Sequence, residues 1–317
     1  MSRSIYRRHH YTLYELTPGY RSADGLTQHN SWGFRGPEFA IEKPSGRTRV
    51  VCMGESTTYC TGIPRDVDTY PARLEASLRA MLPTADIEVL NAGVGGYTSA
   101  ENLLRFVFKV QPLAPDVVVF YYTHNDVHPR RLPSLSRDYA EYSKPWRASL
   151  ADYLPSSLLS WVGWPTDIGD RVRTYGRHAR RGETSREHLT RNSSWVFRDN
   201  MESLAILAAG WRVRMLFVNP PYAFLDGDYD PATIHPGARA VHEHRVAIEE
   251  IAPRHGHAVY DLRAELPYPP YTDSDTWKSD LFLDKVHVNE KGAALMGELV
   301  ARALLDRGIV PRMESPR

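Results

Sequence analysis

A chain of 317 residues that is 42% hydrophobic and 24% charged, with a formal net charge of +1, carries enough apolar material to bury a full core. Its balanced charge excludes the basic excess of a nucleic-acid binder, and its ordinary apolar content excludes a disordered chain. Two cysteines, Cys52 and Cys60, leave no disulfide framework, and no run of ~18 apolar residues is present for a transmembrane helix. The basic start Met1–His10 lacks the apolar stretch of a secretion signal, so a cytoplasmic location without membrane or nucleic-acid partner is expected.

Residues 1 to about 47 are polar and aromatic without clean periodicity and are expected to form an N-terminal extension packing on the core. Thr48–Met53 is a short apolar run ending at Gly54, which predicts a buried strand. Tyr70, Leu74, Leu78 and Met81 recur at helical spacing, and Pro83 stops that helix. Ile87–Leu90 predicts a second strand, closed by the turn residues 91–96. Thr98–Glu101 has capping-box form and opens a helix carrying Leu103, Leu104, Phe106 and Val107. Asp116–Thr123 predicts a third strand, apolar on both faces as a parallel sheet requires.

The pattern then breaks from Val127 to about Ser194, a stretch rich in Pro, Arg, Ser and Trp. It resumes with a helix at Trp195–Ala209, a strand at Val213–Val218, a helix at about Ala238–Arg254, a weak strand at Ala258–Asp261 and a last helix at about Glu290–Leu305. Five alternations of strand and helix imply a parallel sheet covered on both faces, in one domain over about 48–310 with a large insertion at about 127–194. That insertion follows a strand, a position from which it could act as a lid. In such sheets ligands bind at the carboxyl ends of strands, so a motif carrying chemistry should lie just after one.

Four segments meet that test. Gly54-Glu55-Ser56-Thr57-Thr58 follows the first strand, where Ser56 is either an exposed nucleophile at a helix N-terminus or a simple N-cap. Asn91-Ala92-Gly93-Val94-Gly95-Gly96 follows the second, where Gly93 offers either a backbone oxyanion donor or a turn conformation; for Gly95 and Gly96 the turn reading is preferred. Thr123-His124-Asn125-Asp126 follows the third, where Asn125 could donate its amide to an oxyanion or close an Asx turn. Asp284 precedes His287 by three residues just before the last helix, a spacing at which the carboxylate can hold one imidazole nitrogen while the other takes a proton from serine. The alternative there is a surface loop with a cap at Asn289.

As an ordered set these segments resemble the blocks of the SGNH hydrolases, also called the GDSL esterase/lipase superfamily. The likeness covers roughly 48–126 and 280–305, and Gly33-Phe34-Arg35-Gly36-Pro37 also resembles a lead-in of bacterial members. It implies a flavodoxin-like three-layer α/β/α fold with a five-stranded parallel sheet, Ser56 as nucleophile, His287 as base and Asp284 as its orienting partner. It further implies an oxyanion hole of Ser56, Gly93 and Asn125. Three positions depart from the pattern: Glu55 where many members have Asp, Thr123 for a common Gly, and Cys60 for another Gly. Glu55, Tyr59, Thr123, His124 and Trp277 flank the blocks and are expected to contact substrate.

No metal or other cofactor is expected; the pairs His242/His244 and His255/His257 have poor spacing for zinc on one helix face. The resemblance implies an ester substrate, and the absence of a long apolar run favours a small acyl group such as acetyl, on a carbohydrate or secondary metabolite. Acyl transfer to another alcohol is the alternative, and a non-catalytic binding protein a further one. The insertion carries Arg171, Arg173, Arg177, Arg180, Arg181, Arg186 and Arg191, which form either a solvated face or a surface for an anionic substrate. Tyr268, Tyr271, Trp277 and Phe282 could make an aromatic platform or anchor a Pro-rich loop. Oligomeric state is open.

Overall fold

The computed structural model describes residues 4–122, 124–143, 184–221, 236–267 and 279–310. Its centre is a parallel sheet of β3 (Thr48–Gly54), β4 (Ile87–Asn91), β5 (Val117–Tyr121), β6 (Arg214–Asn219) and β7 (Ala258–Asp261), ordered β4-β3-β5-β6-β7. The period-2 geometry of a strand sends successive side chains to opposite faces. Val50, Cys52, Val117, Val119, Leu216 and Val218 therefore meet one helix layer, and Val51, Met53, Val118, Phe120 and Phe217 meet the other.

The first layer is α2 (Tyr70–Met81) and α8 (Glu290–Asp306), which deliver Leu74, Leu78, Met296, Val300 and Leu304. The second is α3 (Ser99–Arg105), α6 (Trp195–Gly210) and α7 (Pro236–Arg254), which deliver Phe197, Met201, Leu204, Ile248 and Ile251. Each such fully buried side chain contributes roughly 1.5–3 kcal/mol of transfer free energy. This is the parallel sheet covered on both faces that the alternating pattern predicts, and the flavodoxin-like three-layer α/β/α architecture that the resemblance implies.

The chain runs outward from β3 to β4 and then returns across β3 to β5, so the switch point of the sheet lies at the carboxyl ends of β3 and β5. Gly54 at the end of β3 is in register with Tyr121 at the end of β5. The residues that follow both strands, Ser56 and Asn125, are delivered to that crevice.

Three stretches differ from expectation. Residues 4–17 contain an antiparallel hairpin of β1 (Tyr6–His9) and β2 (Leu13–Leu16), turning at Leu13 with φ of 65°. Four residues per strand, one strand being largely exposed, are too few to register as alternation. The helix expected through Val107 is helical only to Arg105, widens over Phe106–Val110 and tightens at Gln111–Leu113, where Pro112 removes a donor. β5 ends at Tyr121, two residues short of expectation.

Of the insertion, α4 (Ala140–Ser143) and α5 (Thr184–Arg191) lie at its described ends. Buried Arg130 ties the chain just after α5 to the core, donating to Asn192 O at 2.8 Å and pairing with Glu243. The lid reading, with Arg171, Arg173, Arg177, Arg180 and Arg181, falls outside the described residues. Among the described residues no helix is long and apolar enough to cross a membrane.

Candidate active site

Gly54 ends β3 at the tightest point of the sheet: a Cβ there would sit 2.1 Å from the Tyr121 carbonyl oxygen and 2.5 Å from Thr58 Oγ1. Only glycine lets the chain turn at once into α1 (Ser56–Tyr59), a single helical turn. Within residues 50–60 every side chain is buried except Ser56, so the serine is the exposed point of this turn.

Some 230 residues later in sequence, the loop before α8 closes over it. Leu283 N donates to His287 O at 2.8 Å and Asn289 N to Leu281 O at 2.9 Å. The Asn289 side chain caps α8 by accepting from Lys291 N and Gly292 N, each at 3.0 Å. The same loop is thus capped by Asn289 and brings His287 beside the serine. His287 Nε2 lies 2.9 Å from Ser56 Oγ, and His287 Nδ1 lies 2.8 Å from Asp284 Oδ2. A proton on Nδ1, donated to the carboxylate, leaves Nε2 as the acceptor for the serine O–H.

Asp284 also accepts from its own loop, with Val286 N at 2.8 Å and His287 N at 2.7 Å. Partial burial alone would raise its pKa. The side-chain and backbone hydrogen bonds from His287, its charge, and the Val286 N–H outweigh that and bring the carboxyl down to about 2. It is a carboxylate at neutral pH.

Asn125 is buried and its Nδ2 donates to Tyr97 O at 2.9 Å, which fixes the amide and leaves its second N–H available. Gly93 does not stand where the sequence reading put it. Its N–H donates to Asn91 Oδ1 at 3.1 Å, and a Cβ there would lie 2.3 Å from Tyr59 N and 2.6 Å from Thr58 C. It is buried beneath α1, allowing loop and helix backbones to touch. Two residues on, Gly95 takes the place beside the nucleophile, since a Cβ on it would lie 3.8 Å from Ser56 Cβ. Gly95 and Gly96 are half-buried, and neither N–H donates to a described residue.

Two expected substrate contacts are turned inward. Glu55 is 1% exposed. Tyr59 is buried, its hydroxyl 3.0 Å from His29 Nε2 and its ring beneath the Arg35 guanidinium at 4.8 Å. Burial lowers the pKa of His29 to about 4, so it meets that hydroxyl as a neutral ring. His124 is half-buried with its ring against His128, centroids 5.3 Å apart. Thr123 and Trp277, like Tyr268 and Tyr271, lie outside the described residues.

The sequence reading also missed Arg35. Its buried guanidinium donates to Tyr59 O, Cys60 O and Ile63 O at 2.9, 3.0 and 2.6 Å and pairs with Asp66 at 2.8 Å, clamping the loop after α1. Its place in the lead-in 33–37 was the only signal. Among the described residues no group of three His, Cys, Asp or Glu side chains is arranged to hold a metal ion. Of the histidine pairs, His244 stacks on Phe197 at 4.2 Å between centroids and His257 bonds Ala205 O at 2.8 Å. A cavity of about 410 Å³ beside β4 is lined by Arg35, Asp66, Glu75 and Arg79, and none of Ser56, Asp284 and His287 lines it.

The model of the GDSL-like lipase/acylhydrolase family matches residues 52–295, which runs from within β3 to the first turns of α8. The chain belongs to this family. No match is found among curated protein sequences. Similar solved structures include the lipase/acylhydrolase from Enterococcus faecalis, 21% identical, covering 84% of this chain and 100% of that one with a TM-score of 0.48. An acetyl xylan esterase variant from Geobacillus stearothermophilus is 17% identical, with coverage of 87% and 100% and a TM-score of 0.48. LAE5, an α/β hydrolase from the Lake Arreo metagenome in Spain, is 18% identical, with coverage of 81% and 95% and a TM-score of 0.49. As a GDSL-family member the chain is a hydrolase of the esterase/acylhydrolase type.

Proposed function

We propose that this GDSL hydrolase is a serine esterase that removes a small, acetyl-like acyl group from a carbohydrate or other small-molecule alcohol through an acyl-serine intermediate. The observation that carries the reading is the continuous relay from Ser56 Oγ through His287 Nε2 and Nδ1 to Asp284, at 2.9 and 2.8 Å. Ser56 Oγ attacks the ester carbonyl carbon as its proton passes to His287 Nε2. Asp284, held ionised, stabilises the imidazolium that forms. The developing oxyanion is received by backbone N–H groups at Ser56 and at the Gly95–Gly96 turn, together with the free amide hydrogen of Asn125. Collapse expels the alcohol, which takes the proton from Nε2. Water then enters by the same route and releases the acid.

Support for a small acyl group comes from crowding. The residues of β3 and α1 around Ser56 are buried, and the Tyr6 hydroxyl stands 2.6 Å from where a Gly95 Cβ would be. Next to the relay in sequence the exposed large apolar side chain is Leu283, a contact for a short acyl group rather than a lipid-sized face. Transfer to an alcohol other than water would use the same acyl-serine, and product analysis with added acceptors separates the two.

Hydrolysis of p-nitrophenyl acetate, butyrate and octanoate by the wild type and by Ser56→Ala tests the proposal. Turnover should fall from acetate to octanoate and vanish in Ser56→Ala with the melting profile unchanged. A Ser56→Ala protein retaining more than a few per cent of the rate refutes the assignment, and failure of a fluorophosphonate to label Ser56 supports a binding protein instead.

A further inference from the structure

The hairpin β1–β2 lies before the family-matched segment, yet it is bonded to the loop that faces the nucleophile. Tyr14 is buried and its hydroxyl donates to Gly95 O at 2.7 Å, a contact between residues 81 apart in sequence. The Tyr97 hydroxyl donates back to Tyr14 O at 2.5 Å. The Tyr6, Tyr14 and Tyr97 rings pack edge to face in a row, centroids 5.2 and 5.4 Å apart. Tyr97 O in turn holds Asn125 Nδ2. Two of the three groups assigned to receive the oxyanion, the Gly95–Gly96 turn and Asn125, are therefore braced by this one row of tyrosines.

The planarity of the peptide makes the Tyr14 bond consequential. Gly95 C=O and Gly96 N–H belong to one trans peptide and point in opposite directions. A hydroxyl that anchors the carbonyl also sets the direction of the N–H, and by polarising the amide strengthens it as a donor. Tyr6 stands at the other side of the gap. A Cβ on Gly95 would be 2.6 Å from Tyr6 Oη and 3.8 Å from Ser56 Cβ, so the phenol and the nucleophile flank the same small space. The Tyr6 hydroxyl makes no hydrogen bond to another described residue. Burial pushes that phenol up to about 12, which keeps its proton in place as a donor.

We propose that the N-terminal hairpin is a working part of the ester site: Tyr14 is a positioning residue that aims the Gly96 N–H through Gly95 O, and Tyr6 is a specificity-determining residue whose hydroxyl meets the substrate beside Ser56. This rests on the acyl-serine reading above. The test uses the full chain with Tyr14→Phe, Tyr6→Phe and Tyr6→Ala, measured on the three p-nitrophenyl esters and by the rate of Ser56 phosphonylation with a fluorophosphonate. The phosphonyl oxygen needs the same donors as an ester oxyanion, so the labelling rate reports on them independently of the ester chosen.

Tyr14→Phe keeps the ring packing and should lower kcat and the labelling rate roughly tenfold with KM unchanged, less than the ~10²–10³ lost with a donor outright. Tyr6→Phe should raise KM for acetate with kcat nearly intact. Tyr6→Ala should raise the octanoate-to-acetate ratio of kcat/KM by about tenfold as the wall is removed. The proposal is overturned if Tyr14→Phe labels and turns over at the wild-type rate, or if the chain-length ratio is the same in Tyr6→Ala. Absence of Ser56 labelling in the folded wild type overturns the esterase reading itself, and this proposal with it.

Discussion

Asp126, next to Asn125, is a buried carboxyl whose protonation should be visible in the stability of the whole protein. Its Oδ2 accepts from Ser99 N at 2.9 Å and its Oδ1 from Ser99 Oγ at 2.5 Å, which fastens the start of α3 to the end of β5. Burial raises its pKa to about 6, and the bonds from Ser99 and Tyr139 only partly offset that rise. Against an unfolded value of ~3.9, a shift of about two units is worth ~3 kcal/mol between the two protonation states. Because the folded state holds the proton more tightly, the stabilisation is full below about pH 4 and is lost as pH rises through about 6.

Above that range the fold carries a buried carboxylate at its full cost. Asparagine keeps the shape and one acceptor but cannot titrate. The stability of the wild type relative to Asp126→Asn should therefore increase by about 2 kcal/mol between about pH 7.5 and about pH 4.5. Urea unfolding of both proteins at each pH measures this, with constant m showing that the unfolding reaction is unchanged. Subtracting the variant removes carboxylates and histidines elsewhere, Asp284 and His29 among them. A difference that is flat across that range, or that grows with rising pH, refutes the reasoning.

Two further substitutions probe how the site is built. Gly93→Ala retains its N–H, so a donor role alone predicts a stable protein. The contact of 2.3 Å with Tyr59 N predicts instead a loss of about 3 kcal/mol or more together with slowed Ser56 labelling, read by urea melts and fluorophosphonate kinetics. Arg35→Lys keeps the charge but cannot bond Tyr59 O, Cys60 O, Ile63 O and Asp66 at once. It should cost roughly 3 kcal/mol and expose residues 60–66 to limited proteolysis, whereas an unchanged melt and cleavage pattern would refute the clamp.

Much of this molecule could be read from local pattern. Runs such as Val117–Tyr121, buried on both faces, and helices with apolar stripes such as α2 announce their burial residue by residue, because strand and helix periods are set by the backbone. Five such alternations determined the parallel sheet. The rule that ligands meet the strand ends then marked four segments, and the resemblance to the SGNH hydrolases picked out Ser56, Gly93, Asn125 and the Asp284–His287 pair within them.

What the pattern could not carry is the direction of side chains in irregular chain and the pairing of distant segments. Gly93 and Gly95 are equivalent in composition, and only the packing of the loop on α1 decides that Gly93 lies beneath the helix and Gly95 beside the serine. Glu55 and Tyr59 flank the nucleophile in sequence, but one helical turn rotates them into the core. Tyr14 reaches Gly95 through one hydrogen bond, and Arg35 reaches the loop after α1 through a small set of them, across unrelated segments. Such bonds leave no period in the sequence, because burial repeats along a chain while a contact between two loops occurs once.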